Sequence, residues 1–362
     1  MSYEIDFIGV SEETKDATAI CFRWKNPNGN YTVGVFDGGI STYGVTLKNH
    51  LNTYYFNEEG DKTIDFVICS HPHKDHASGL TEILENFNVK ALYMNLPWTY
   101  IDELYDKVND GRITPESLEE RLKKKYSYIT ELEKIAVEKD IPIHTALEGT
   151  KISNKLTILS PSKDFYLQLL VESDKTPLEE KNSILESTIN FAKKIINKLK
   201  ETWSSEQLRE GESTEPDNET STVVLGEMDE EVFLLTGDVG IRGLQNAIDY
   251  ANSLNMTIKD YVTIYEIPHH GGRHNVSPSI LNQLLGDIVA ENEENGKQSY
   301  VCSGKNSNHP LQMVVNAFKR RGVKVYKASG STICHHRGTM PKRDGWSSVT
   351  GIEFNTDVEE WD

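Results

Sequence analysis

Short apolar runs, separated by turn-forming or charged stretches, recur along the chain and set its predicted elements. "EIDFIGV", "TAICFRWK" and "YTVGVFDGG" read as strands, with "NPNGN" at 26–30 as the turn between the last two. "STYGVTLKNHLNTYY" reads as a helix, "IDFVIC" as a buried strand, "SGLTEILENF" as a helix and "VKALYMNL" as a strand. From Pro97 to Asp140 the period turns helical: Thr114-Pro115-Glu116 is a helix start, and Leu118, Leu122, Ile129, Leu132 and Ala136 form an apolar stripe. "IPIHTALEG" and "KLTILSP" return to strands. Residues 162–217 read as an insertion. Leu178, Leu185, Ile189, Ala192, Ile196, Leu199 and Trp203 predict an amphipathic helix over 178–203, beside the acidic loop "REGESTEPDNE". Beyond it, "STVVLGEMDEEVFLLTGD" is two strands about an acidic turn. "YVTIYEIP", "SYVCSG", "KVYKAS" and "SVTGIEFN" are further strands, and "SPSILNQLL" and "HPLQMVVNAFKRRG" are helices. The strands come in two groups, each interleaved with helices. This is an α/β order.

With 362 residues, 37% hydrophobic and 26% charged, the chain can bury a large core. We read residues 1–362 as one domain with helical insertions at about 97–140 and 162–217. No apolar run approaches the roughly 20 residues of a membrane span, and "MSYEIDFIGVSEETKD" lacks a signal-peptide apolar segment. The expectation is a cytoplasmic protein with no membrane partner. Cys21, Cys69, Cys302 and Cys334 lie far apart without CxxC spacing, which predicts reduced thiols in or near the core.

The chemistry concentrates in "SHPHKDH", residues 70–76, which holds three of the eleven histidines. Pro72 cannot donate to a ladder and restricts the residue before it, so the strand ends near Cys69 and the histidines fall on a loop. Two other apolar strands end alike, "EVFLL" in "TGD" and "YEIP" in "HHGG". Histidine nitrogen and aspartate oxygen are ligands that zinc and manganese accept. Alternation puts His71 and His73 on one side, while Asp75 and His76, turning into a helix, reach a second ion. Asp238 is suited to bridge the two. Ions about 3.5–4 Å apart form a site for displacement at phosphorus or carbonyl carbon.

In these motifs the chain resembles the metallo-β-lactamase-fold hydrolase superfamily, and within it the soluble hydrolase domain of ComEC-like DNA-uptake proteins. The resemblance runs from about Asp6 to Phe354 through "FDGG", "SHPHKDHASGL", "NETSTVVL", "FLLTGD", "IPHHGG" and "SGKNSNHP". It implies a four-layer αββα sandwich with helical insertions. It also implies two divalent ions, zinc or manganese, on His71, His73, Asp75, His76, Asp238 and His270, with a hydroxide between them as nucleophile. Asp75 would also orient that hydroxide or take its proton, and His269 or His309 would protonate the leaving oxygen. Of the adjacent pair, His270 is favoured as the ligand, and His269 as its support or a substrate contact. The relatives' usual further histidine for the first ion is missing. Asp217 or Asn218 stands there, so the first position is expected to hold its ion less tightly. Gly272 replaces a serine common in these relatives, removing one phosphate-binding hydroxyl. Asp37 reads as a turn residue supporting the site, and His50, His144, His274, His335 and His336 as structural or solvated.

Charge modifies this picture. The chain carries −18, yet Val301 to Arg343 contains nine basic and no acidic residues, leaving −27 for the rest. A polyanion reaching the ions would cross Lys305 and Asn306 and then track Arg320 and Arg321, the candidate substrate-binding residues. The reading is therefore a phosphodiesterase or nuclease with nucleic acid as substrate. The alternatives are a small-molecule ester, thioester or lactam hydrolase, and a metal-containing regulatory or scaffold subunit. The helical insertions would then offer a surface to a protein partner or a second copy.

Overall fold

The computed structural model describes residues 1–9, 15–56, 60–108, 114–175 and 198–361. Two seven-stranded sheets dominate it. The first runs Ile333–Arg337, Tyr3–Phe7, Ala19–Lys25, Tyr31–Gly38, Phe66–Ile68, Leu92–Tyr93, Ile143–His144. The second runs Lys324–Ala328, Gln298–Cys302, Ile264–Glu266, Glu231–Leu235, Val223–Met228, Leu156–Ser160, Lys151–Ile152. Each sheet is antiparallel over part of its width and parallel over the rest.

The strands are buried on both faces, and their period of two sorts side chains between separate cores. In Ala19–Lys25, Ile20, Phe22 and Trp24 enter the core between the sheets. Ala19 and Cys21 point the other way, into a core covered by helices Ser41–Tyr54, Leu80–Asn86 and Ser127–Glu138. A third core lies under helices Ile241–Ser253, Pro278–Leu285 and Gln312–Arg320 on the second sheet. Three cores separate four layers. The order is helix, sheet, sheet, helix, as the sequence led us to expect.

The parallel strands position the chemistry. Phe66–Ile68, Glu231–Leu235, Ile264–Glu266 and Gln298–Cys302 deliver "SHPHKDH", "TGD", "HHGG" and "SGKNSNHP" from their carboxyl ends. His269 N donates to Gly237 O at 3.0 Å, joining "HHGG" to "TGD", and Thr222 N, just before strand Val223–Met228, donates to Ser70 O at 2.9 Å. Ligand sites at the carboxyl ends of parallel strands are the rule for such sheets.

The insertion predicted at 97–140 is helical: Ile101–Val108, Pro115–Lys125 and Ser127–Glu138, the second capped by Thr114 and Ser117. In the other insertion, Lys163–Lys175 is a helix the periodicity did not flag. Residues 176–197 of the predicted 178–203 helix lie outside the described residues. Its last part is not helical. Lys198–Lys200 is a strand paired with Asp357–Glu359, and Leu199 sits opposite Val358 against the third core. "SVTGIEFN" is not a strand either; the pairing starts two residues later, at Asp357. "VKALYMNL" and "IPIHTALEG" shrink to the two-residue strands Leu92–Tyr93 and Ile143–His144. "ICHHRG", which carried no strand expectation, supplies the edge strand Ile333–Arg337 beside Tyr3–Phe7. All four cysteines are unpaired, three of them buried. Among the described residues no helix is long and apolar enough to cross a membrane.

Candidate metal centre

Two groups of side chains converge at the edge of the sheets. Asp75, His76, Asp238 and His270 place ligand atoms within 4.8 Å of one another, and so do His71, His73 and Asp238. Asp238 belongs to both. Its Oδ1 lies 3.0 Å from His76 Nε2 and 3.8 Å from His270 Nε2. Its Oδ2 lies 3.8 Å from His71 Nε2 and 3.6 Å from His269 Nε2. Asp75 Oδ2 stands 3.6 Å from His270 Nε2.

The hydrogen bonds behind each ring fix which nitrogen faces the centre. Ser70 Oγ donates to Asp37 Oδ2 at 2.6 Å, so it must accept from His71 Nδ1–H at 3.0 Å. His76 Nδ1 donates to Asp37 Oδ2 at 2.7 Å and His270 Nδ1 to the Cys302 carbonyl at 2.9 Å. Asn275 Nδ2 donates to the carbonyls of Asp238 and Val239, which turns its Oδ1 towards His269 Nδ1 at 2.8 Å. All four rings thus carry the proton on Nδ1 and present Nε2 to Asp238 as a lone pair when neutral. Nitrogen lone pairs aimed at a carboxylate repel it unless a cation intervenes. The Nε2 atoms of His71, His76 and His270, with Asp238 Oδ1, are buried and have no hydrogen-bond partner. The donor set therefore fits divalent cations, which the two groups would hold with Asp238 common to both.

The charge states without metal tell the same story. Burial opposes protonation of His76, but Asp238 and Asp37 outweigh it and hold the ring well above its ordinary range. Burial likewise opposes charge on His270, yet Asp238 and Asp75 raise it to about 9. Burial would raise Asp238, but His76, His269 and His270 hold it well below the carboxylate range. His71, with burial and the neighbouring imidazoles against it, is pushed well down. A proton takes the cation's place at His76 and His270, so metal binding there releases protons.

Local backbone shape aims these groups. Asp37, at the end of Tyr31–Gly38, has φ +56 and directs its carboxylate to Ser70 N at 2.7 Å as well as to His76. His269, His270 and Gly271 have φ +49, +55 and +87, a left-handed run that turns both rings inward. Gly271 is also required sterically: a Cβ there would meet Pro310 Cβ at 2.4 Å. Buried Glu266 holds the "TGD" turn, its Oε2 accepting from Thr236 N at 2.6 Å and Gly237 N at 3.0 Å. Burial lifts that carboxyl to about 7 against those two hydrogen bonds.

The structure brings together His71, His73, Asp75, His76, Asp238, His269 and His270. Asp217 does not fill the gap in the first group. It is buried, accepts hydrogen bonds from Tyr126 OH at 2.8 Å and from Ser173 Oγ, and anchors the helical insertions. Asn218 spends its Nδ2 on Thr214 Oγ1 at 2.8 Å. His269 instead faces the Asp238 oxygen that faces His71.

Arg320 and Arg321 are not at a substrate surface, which corrects the basic track. Both are fully buried. Arg320 Nη1 lies 2.8 Å from Glu201 Oε1, its Nε donates to Trp203 O at 2.9 Å, and its Nη2 donates to Thr202 O. Arg321 grips Glu206 at 2.9 and 3.2 Å and donates to Asn282 Oδ1 at 2.8 Å. Their carboxylate partners, Glu201 and Glu206, lie over a hundred residues earlier, where a local charge count cannot see them. Lys319, Lys324, Arg337 and Arg343 are also in ion pairs. Lys305 and Asn306 remain exposed on the loop leading to His309.

Several supporting residues escaped the sequence reading: Ser70, Glu266, Asn275 and Asp16. The available signal was polar residues flanking the motif loops. Asp16 Oδ2 accepts from His309 Nδ1 at 2.8 Å and Ser307 Oγ at 2.7 Å, and its Oδ1 from Gly304 N at 2.9 Å.

Residues 27–147 match the family model described as the metallo-beta-lactamase superfamily. No curated sequence matches the chain. Similar solved structures include Tm1679, a metal-dependent hydrolase of the beta-lactamase superfamily, at 15% identity and TM-score 0.42, covering 94% of this chain and 100% of that one. A long-form RNase Z from yeast is 13% identical with TM-score 0.36, covering 83% of this chain and 37% of that one. The dizinc quorum-quenching lactonase AidC is 11% identical with TM-score 0.30, covering 67% and 69%. The family match spans the "SHPHKDH" loop, and around it the chain folds as a mixed α/β protein with its histidines and aspartates gathered at one edge. Over residues 27–147, about a third of its length, the chain is similar to the metallo-β-lactamase superfamily.

Proposed function

We propose that the protein is a metal-dependent hydrolase that cleaves phosphodiesters. The observation carrying this reading is the set of buried, partnerless Nε2 atoms about Asp238, each backed by a fixed Nδ1–H. His71, His73 and Asp238 would hold one ion, and Asp75, His76, Asp238 and His270 the other. Bound there, zinc or manganese would supply an acidified water and a Lewis acid for the reacting centre. Asp37 and Ser70 hold His76 and His71 in place, and Asp75, its side chain partly exposed, can accept the attacking water's proton.

An anionic substrate is favoured by Lys15, Lys74 and Lys305. All three are exposed, each within a few residues of a side chain of the site or of Asp16 and His309, and none is in an ion pair among the described residues. With Arg320 and Arg321 buried, no extended cationic track continues along the Gln312–Arg320 helix. A short stretch of nucleic acid, or a small phosphodiester, fits this better than a long polymer held along its length. Hydrolysis of a carbonyl ester, thioester or lactam is the competing reading, because the donor set alone serves either centre.

The test is elemental analysis with a substrate panel of phosphodiester, carboxylic ester, lactone and lactam, on wild type and Asp238→Ala. The expected result is up to two zinc or manganese ions, the Asp75–His76–His270 position held at least as tightly as the other. Phosphodiester cleavage should be lost with the metal in Asp238→Ala. Cleavage confined to the carbonyl substrates would overturn the proposal.

A further inference from the structure

Asp238 Oδ1 is buried without a hydrogen-bond partner, so its direction is set by the backbone that carries it. That backbone turns from strand Glu231–Leu235 into helix Ile241–Ser253, and its N–H groups are taken up almost one by one. Glu266 accepts from Thr236 N and Gly237 N, Ser221 Oγ from Asp238 N at 3.1 Å, and Thr236 O from Val239 N at 3.3 Å. Beyond them, three fall to one carboxylate. Glu219 Oε2 accepts from Gly240 N at 3.1 Å and Gly243 N at 2.7 Å, and its Oε1 accepts from Arg242 N at 3.3 Å.

Glu219 is 1% exposed. An anion at the first turn of a helix meets the positive end of the peptide dipoles, and the N–H groups replace the water it gave up. The nearby guanidinium of Arg242 is spent elsewhere, on Glu172 at 2.7 and 3.1 Å. Glu219 therefore holds backbone rather than a counter-ion. The sequence makes room for it. A Cβ on Gly240 would meet Glu219 Oε1 at 2.3 Å, and a Cβ on Gly243 would meet Val239 Cγ2 at 2.3 Å and Glu219 Oε2 at 3.1 Å. Gly240 has φ −98, open to any residue, and Gly243 lies inside a helix, where glycine is a poor choice. Space for the carboxylate is what both positions require.

The same segment touches the rest of the site and the insertions. Thr222 N donates to Ser70 O of the "SHPHKDH" loop. Asp217, two residues before Glu219, is held by Tyr126 and Ser173, and Glu172, beside Ser173, holds Arg242. The helical insertions thus grip both the segment that clamps the turn and the helix that leaves it.

We propose that Glu219 is a positioning residue for the metal centre: by clamping the start of helix Ile241–Ser253 it holds Asp238 where both groups of ligands can share it. This rests on the metal-centre part of the reading above and not on the choice of substrate. Glu219 touches neither ion nor substrate, and its effect passes through the backbone of residues 238–243. A cap that only stabilised the fold would be felt in Tm alone. A positioning residue is also felt in how tightly, and in what geometry, the ions are held.

The experiment loads wild type, Glu219→Gln and Gly240→Ala with cobalt(II). It reads the visible ligand-field spectrum, and the affinity by competition with a chelator, below the melting range of each variant. Glu219→Gln keeps the size of the group but turns an amide N–H towards donors that need an acceptor. Gly240→Ala drives the carboxylate off with a Cβ. Groups that hold metal ligands in place typically contribute about 10–100-fold in affinity. Both variants should lose about that much and shift the spectrum. The double variant should lose no more than the worse single one, because both changes break the same contact. Either variant alone carries the test where the other does not fold. Wild-type affinity and spectrum in the folded variants, even with a lowered Tm, would overturn the positioning role while leaving the metal centre in place. Losses that add in the double variant also overturn it, because the glycine then acts apart from Glu219. Wild type that binds no cobalt, zinc or manganese overturns the metal-centre reading itself.

Discussion

Replacing Arg320 by methionine removes a guanidinium that is fully buried and leaves Glu201, also fully buried, without its cation. Glu201 keeps two hydrogen bonds, from Asn316 Nδ2 at 2.7 Å and Gln207 N at 2.9 Å, but they do not neutralise it. The carbonyls of Thr202 and Trp203 lose their donor as well. Breaking one side of a buried pair costs about 3–5 kcal/mol. At about 2.1 cal/mol/K per residue, unfolding of 362 residues carries about 0.76 kcal/mol/K, so Tm should fall by about 4–7 °C. Burial holds Glu201 above the ordinary carboxylate range despite Asn316 and Arg320. Without the arginine it rises further and takes up a proton as pH falls. The deficit should therefore be smaller at pH 5 than at pH 8. Glu201→Gln placed on Arg320→Met should recover part of the loss, because it removes the stranded charge. Calorimetry at the two pH values measures all of this. A Tm within 1 °C of wild type, paired with weakened binding of nucleic acid, would refute the reasoning and restore Arg320 to the substrate surface.

Asp37→Asn keeps the size of the group but weakens the anion that holds Ser70 N, Ser70 Oγ and His76 Nδ1. Losing such a support typically costs metal affinity about 10–100-fold, so competition with a chelator should strip the His76 position first; unchanged affinity would show that Asp37 only shapes the turn. Gly271→Ala puts a Cβ 2.4 Å from Pro310 Cβ at φ +87, which should push the His309 loop off "HHGG". Its Tm should fall by about 1 °C or more, from strain of about 1–3 kcal/mol over the same unfolding entropy, and an unchanged Tm would mean that the two loops are free to separate.

Much of this protein is written locally. The period-two strands, the helices over Ser41–Tyr54, Pro115–Lys125, Pro278–Leu285 and Gln312–Arg320, and the loops ending in His or Asp follow from spacing of apolar residues and from Pro72 breaking a strand. Those are short-range properties, and the ligand motifs are legible because each occupies only a few consecutive residues. What escaped depended on contacts between distant parts of the chain. Leu199 lies in a strand because Val358 pairs with it, not because of its own neighbours. Asp217 looked like a ligand beside the motif, yet Tyr126 and Ser173 claim it. Arg320 and Arg321 looked like a cationic surface because counting charges along the chain assumes that neighbours in sequence share an environment; folding gave them Glu201 and Glu206 instead. Asp16 carried no motif at all and gains its role only where His309, almost three hundred residues away, places Nδ1 against it. A sequence determines which groups a chain can offer. Hydrogen bonds and ion pairs act over a few ångströms in space, so only the tertiary structure decides which groups are spent on the fold and which remain for chemistry.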